Sequence, residues 1–128
     1  MLPLVSPAEI VVIVNKDNEA LSLTKRQLVD LYMGRDVYFP NGNLAMRIDH
    51  SPDSDTRSHF YQKLVGKTVP EVNAYWARLL FTGRASPPHV IDDVKQILQM
   101  VSTNPNAIAY IDKGELDDRV SVLADFEF

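Results

Sequence analysis

The run "EIVVIV" at residues 9–14 constrains the fold more than any other stretch of the chain. It is too short for a helix and carries no polar alternation, so it reads as a strand buried on both faces. A strand of that kind requires cover above and below, which helices must supply. The helix signals are present. Thr24-Lys25-Arg26-Gln27 has the form of a capping box, and Leu28, Leu31 and Tyr32 follow at helical spacing until Gly34. Ser54 can cap a second helix with Phe60, Tyr61, Leu64 and Val65 on one face and Gly66 as its stop. Thr68 to Glu71 repeats the capping-box form ahead of Val72, Tyr75, Trp76, Leu79 and Leu80, a stripe whose spacing is that of core packing. A fourth helix opens at Asp92 or Asp93 and carries Val94, Ile97, Leu98 and Val101.

Between these lie further strand candidates: "LAMRID" (44–49) after the turn residues Pro40-Asn41-Gly42-Asn43, then "AIAYID" and "VSVLADF" near the end, with "RASPPHV" as a rigid connector. The order β-α-β-α-α-α-β-β predicts an α/β layer structure with a mainly parallel sheet flanked by helices. Because the chain starts and ends on strands, both are expected in the same sheet. At 128 residues with 45% hydrophobic content, one domain is the expectation. Thirteen Lys plus Arg against seventeen Asp plus Glu give a net charge of −4, so no overall field draws nucleic acid or an anionic membrane, and any anion site must be local. With no cysteine, disulfides and thiol chemistry are excluded.

Residues 1–8, "MLPLVSPA", end in the small-x-small pattern Ser6-Pro7-Ala8 and read as a signal-peptide remnant, which predicts an exported protein. No stretch approaches the ~18 apolar residues of a membrane span.

Chemistry concentrates in "RIDHSPDSDTRSHF" (47–60). Asp49, His50, Asp53, Asp55 and His59 are close in sequence, yet the spacing lacks the glycine and glutamate of a calcium loop. None of the three histidines sits in a catalytic motif, and no nucleophile elbow or phosphate-cradling glycine loop occurs, so neither an enzyme nor a bound cofactor is expected. A strand ending near Asp49 does feed a helix that begins Ser54, Asp55, Thr56, Arg57. Unpaired N–H groups, two hydroxyls and an arginine at the positive end of a helix suit an oxyanion. The plainer reading is that Ser54 only caps its helix.

The succession "EIVVIVNKDNEALSLTKRQLVDLYMGR", "NGN", "MRID", a Ser-x-Thr helix start and "AYWARLLFTGRASPPHVIDDVKQILQMVSTNPNAIAYID" resembles the type II periplasmic solute-binding proteins, specifically the phosphate-binding proteins of ABC transporters. The resemblance implies a single lobe of that fold over residues 9–128, in the periplasm, working beside a permease or a sensor protein. It places Arg47 and Asp49 on an arginine and an aspartate of the family's Arg-Ser-Asp-Gly-Ser-Gly-Thr signature, and Ser54 and Thr56 on its last serine and threonine. The arginine and helix start would bind the oxyanion, and the aspartate would accept its proton. Two departures stand out: Asp55 replaces a glycine, and His50 to Asp53 lengthen the loop. One lobe cannot close on a solute, so the implied binding is weak or assisted by a partner or by a second copy in a homodimer. The rival expectation is an interaction module of an envelope assembly that keeps the fold without the ligand.

Overall fold

A computed structural model describes residues 9–18, 21–83 and 86–127, the side chains of 124–127 excepted. The signal-like pattern at Ser6-Pro7-Ala8 therefore lies outside the described residues. Strand β1 (Ile10–Val14) is buried along its whole length, as its composition requires. Helix α1 (Lys25–Tyr32) opens on Thr24, whose hydroxyl accepts from the Gln27 N–H at 3.1 Å while the Gln27 side chain accepts from the Thr24 N–H at 2.8 Å. After it come β2 (Met46–Asp49), α2 (Asp55–Val65), capped by Ser54 and ended by Gly66 at φ +67°, and α3 (Val69–Phe81), which carries the Thr68–Glu71 box. Gly66 occupies a left-handed conformation that a side chain would strain, so the sequence stop acts through backbone freedom.

The connector after α3 is not wholly irregular: His89–Val90 form a two-residue strand, β3. Helix α4 (Val94–Thr103), capped by Asp93, leads to β4 (Ala107–Asp112) and β5 (Ser121–Glu127). The five strands run in the order β3-β2-β4-β1-β5. The α/β class is as expected, and both chain-terminal strands do share the sheet, but the sheet is mixed rather than mainly parallel. β2 is parallel to β3 and β4, whereas β1 lies antiparallel to both β4 and β5. Runs buried on both faces fit either direction, because their side chains carry no mark of orientation. Direction was decided by β1 inserting between β4 and β5, with Ile10 opposite Asp112 and Val14 opposite Ile108.

Alternation along the strands separates two cores. Ile10, Val12, Val14, Ile108 and Tyr110 face α1, α2 and α3. Val11, Ile13, Ile48, Ala109 and Ile111 face α4. Tyr75 on α3 donates to the Met33 carbonyl at 2.7 Å, which pins α3 to the end of α1. No helix among the described residues is long and apolar enough to cross a membrane.

Candidate functional site

On β2, Arg47 and Asp49 are two residues apart and therefore share a face. Both are buried, yet they do different things. The Arg47 guanidinium donates from Nη1 to the Leu31 carbonyl at 3.1 Å and from Nη2 to the Ser86 carbonyl at 2.8 Å. It braces the end of α1 against the segment before β3, and burial lowers its pKa from the usual arginine value. It lines a cavity of about 520 Å³ with Gly34, Met46 and His89.

Asp49, the last residue of β2, is the centre of a hydrogen-bonded cluster. Its Oδ1 accepts from the His50 N–H at 2.8 Å and from the Tyr110 hydroxyl, and its Oδ2 accepts from the Tyr61 hydroxyl at 2.7 Å. Arg57 Nε stands 3.5 Å from Oδ1, close enough for an ion pair but without hydrogen-bond geometry. These partners come from β4 and from successive turns of α2, where Arg57 and Tyr61 lie four apart on one face. The Arg57 guanidinium also sits 5.1 Å from the centre of the Tyr61 ring, within cation–π range. Burial, and then the charge of Asp49, pushes the Tyr61 and Tyr110 hydroxyls well above the ordinary tyrosine pKa. Both therefore remain donors to the carboxylate. A carboxylate has about four acceptor positions, and Oδ2 carries a single hydrogen bond among the described residues.

A cavity of about 260 Å³ adjoins this cluster, lined by Asp49, Arg57 and Trp76 together with the apolar Leu80, Pro87 and Val90. Arg57 and Trp76 are each only 5% exposed, and Arg57 Nε, Arg57 Nη1 and Trp76 Nε1 have no hydrogen-bond partner among the described residues. Leaving a buried donor unpaired costs about 1–3 kcal/mol, and Arg57 Nε offsets part of that through its 3.5 Å approach to Asp49 Oδ1. Trp76 was expected to serve packing alone. Its ring does join the core, but its N–H goes unused there.

At the start of α2, Ser54 Oγ accepts from the Arg57 N–H at 3.3 Å, while the N–H groups of Asp55 and Thr56 meet no acceptor among the described residues. Ser54 and Thr56 are half-buried, and Asp55 is exposed. The structure thus brings Asp49 and Arg57 together one helical turn from Ser54, and it puts Arg47 on the other cavity. Pro87 stands in the walls of both. The five acidic and histidine side chains of the segment do not converge: Asp49 and His50 are buried with other partners, Asp53 and Asp55 are exposed, and no metal-binding group of three is found among the described residues. Tyr61, Tyr110 and Trp76 were missed as site residues. The one available signal was a tyrosine inside the aliphatic strand "AIAYID", whose buried hydroxyl needs a partner.

No family model matches the chain, and no curated protein does. Solved structures do. An ABC-type phosphate transport receptor from Vibrio cholerae superposes with a TM-score of 0.68 at 19% identity, covering 91% of this chain and 46% of the receptor. The chain has the fold of one lobe of such a receptor. A Clostridium perfringens protein assigned as a phosphate ABC transporter substrate-binding protein, solved with bound phosphate, gives 0.68 at 22% identity, with 91% and 45% coverage. PstS from Borrelia burgdorferi gives 0.66 at 15%, with 91% and 47%. This chain spans less than half the length of each of these proteins.

Proposed function

We propose that the protein binds a phosphate-like oxyanion at the start of α2, with Arg57 as the principal donor. The observation that carries this reading is Arg57 in the first turn of α2, its guanidinium buried beside Asp49 with no hydrogen-bond partner at Nε or Nη1 among the described residues. An anion there would take charge-assisted hydrogen bonds from Arg57, with the free N–H groups of Asp55 and Thr56 and the Ser54 and Thr56 hydroxyls at the same helix end. Asp49 fixes Arg57 and would accept the hydrogen bond of a protonated ligand. Arg47 supports the site from behind by holding α1 and the β3 connector. Asp55 weakens the attraction, and its exposure lets water screen most of that effect.

One lobe gives the anion a single wall, so water competes at the open side and affinity is weak until a second surface covers it. A second copy of the chain, a transporter permease or a sensor protein would supply that surface, outside the cytoplasm if the export pattern at Ser6-Pro7-Ala8 operates. No catalytic step belongs to this reading. Titration calorimetry of the purified chain with phosphate and with sulfate tests it. Binding in the millimolar range or tighter, lost in Arg57→Gln, is the expected result. Absence of heat at millimolar ligand, or an unchanged affinity in Arg57→Gln, overturns direct binding.

A further inference from the structure

Helix α3 is apolar on two sides. Val72, Tyr75, Trp76 and Leu79 turn inward to the core, as an amphipathic helix requires. The outward side breaks the pattern: Pro70, Ala74, Ala77 and Phe81 recur at i, i+4, i+7 and i+11, one stripe of a helix, and all four are exposed. Phe81 is 94% exposed, and Leu80 and Val90, which line one cavity with Ala77, are 53% and 55% exposed. A solvated helix face ordinarily carries charged and polar side chains. The charged residues of α3 are Glu71 in its first turn and Arg78 in its last, both exposed. They are seven residues apart, which is about two turns, and so they lie along one flank of the stripe.

We infer that the outward stripe of α3 is the contact through which two copies of the chain associate, helix against helix and antiparallel across a two-fold axis. The charge pattern selects a second copy as the occupant. An axis between Ala74 and Ala77 sets Pro70 against the partner's Phe81 and alanine against alanine, so the two backbones approach closely where they cross. In an antiparallel pair each flank faces its own copy, which brings Glu71 toward the partner's Arg78 and Arg78 toward the partner's Glu71. A parallel pair would set that charged flank against the side of the helix that carries Asn73 and Leu80. The area sets the strength. Thirteen residues of helix make a strip about 20 Å long and about 10 Å wide, well short of the roughly 800 Å² per partner of a stable complex even with Leu80 and Val90 beside it. The dimer is therefore reversible and depends on concentration. None of the residues assigned to the oxyanion site takes part, so this inference stands apart from that reading.

Sedimentation velocity of the full chain from micromolar to millimolar concentration is the test, with Ala77→Glu, Arg78→Glu, Glu71→Arg and the Glu71→Arg/Arg78→Glu double variant. All three positions are exposed, and far-ultraviolet circular dichroism checks that each variant keeps its helices. The expected result is a dimer that dissociates on dilution. Ala77→Glu, which sets two carboxylates against each other near the axis, weakens it about tenfold or more. Each single charge variant weakens it about threefold at low salt, and the double variant restores it, because the opposite charges again face each other. A monomer at every concentration overturns the inference. A dimer that Ala77→Glu leaves intact is formed by another surface and overturns it as well. A double variant no tighter than either single one overturns the antiparallel pairing. Arg57→Gln is expected to leave the dimer unchanged, so failure of anion binding does not bear on this result.

Discussion

The two faces of the sheet are made by the same strands and obey different rules. Against α4 the buried cluster is wholly aliphatic, with Ile48, Ile97, Leu98 and Val101 packed on Val11 and Ile13. Against α1 to α3 the same strands present Asp49, Arg47 and Tyr110 to a layer that contains Tyr32, Tyr61 and Arg57. An aliphatic face tolerates loss roughly in proportion to the volume removed. A buried polar face depends on every donor and acceptor finding its partner, so one deletion strands several groups. The proposed site belongs to the second face.

The contrast is sharpest in a pair of truncations. Asp49→Ala removes the acceptor of two buried tyrosine hydroxyls and the counter-charge of Arg57, and is expected to cost about 4 kcal/mol in urea unfolding, with anion binding abolished. Ile97→Ala, on the aliphatic face, is expected to cost about 3 kcal/mol, with anion affinity unaltered. Equal loss of binding in both would mean that the faces are not separable.

Alkaline pH should act on one face alone. Tyr32, Tyr61 and Tyr110 are raised above the ordinary value of 10.0, chiefly by burial and secondarily by Asp49. A group whose pKa is higher in the folded state contributes its stability fully below the unfolded pKa and loses it as pH rises toward the folded value. Each of these tyrosines should therefore remove about 1.4 kcal/mol per pH unit above its ordinary pKa. Chemical unfolding followed from neutral to strongly alkaline pH should show that slope, and Tyr110→Phe should make it shallower. Smaller effects are expected at the helix start. Ser54→Ala should cost about 1 kcal/mol in thermal unfolding and weaken anion binding. Asp55→Asn should cost about 0.5 kcal/mol at low salt and tighten anion binding, with both changes fading as salt is added.

The helix boundaries were readable because caps are local: Thr24, Ser54, Thr68 and Gly66 act through groups within three or four residues of themselves. The proposed oxyanion site rests in part on the same local signals, since Ser54, Thr56 and Arg57 share one turn. Arg47 and Arg57 looked equivalent in sequence. Their difference depends on what lies across from each: the Leu31 and Ser86 carbonyls for one, the Asp49 carboxylate and the Tyr61 ring for the other.

By itself the sequence determined the α/β class, four helices with their ends, and the segment that carries the chemistry, because periodicity and capping act between near neighbours. Only the tertiary structure decided that β1 runs antiparallel between β4 and β5, that two residues at His89 complete the sheet edge, and that Asp49 meets Tyr61 and Tyr110 from 12 and 61 positions away. It also decided that Trp76, spaced like any core residue, leaves its N–H without a hydrogen-bond partner among the described residues. These facts depend on which elements meet across the sheet, and a one-dimensional pattern records which face a side chain takes without recording what stands opposite it.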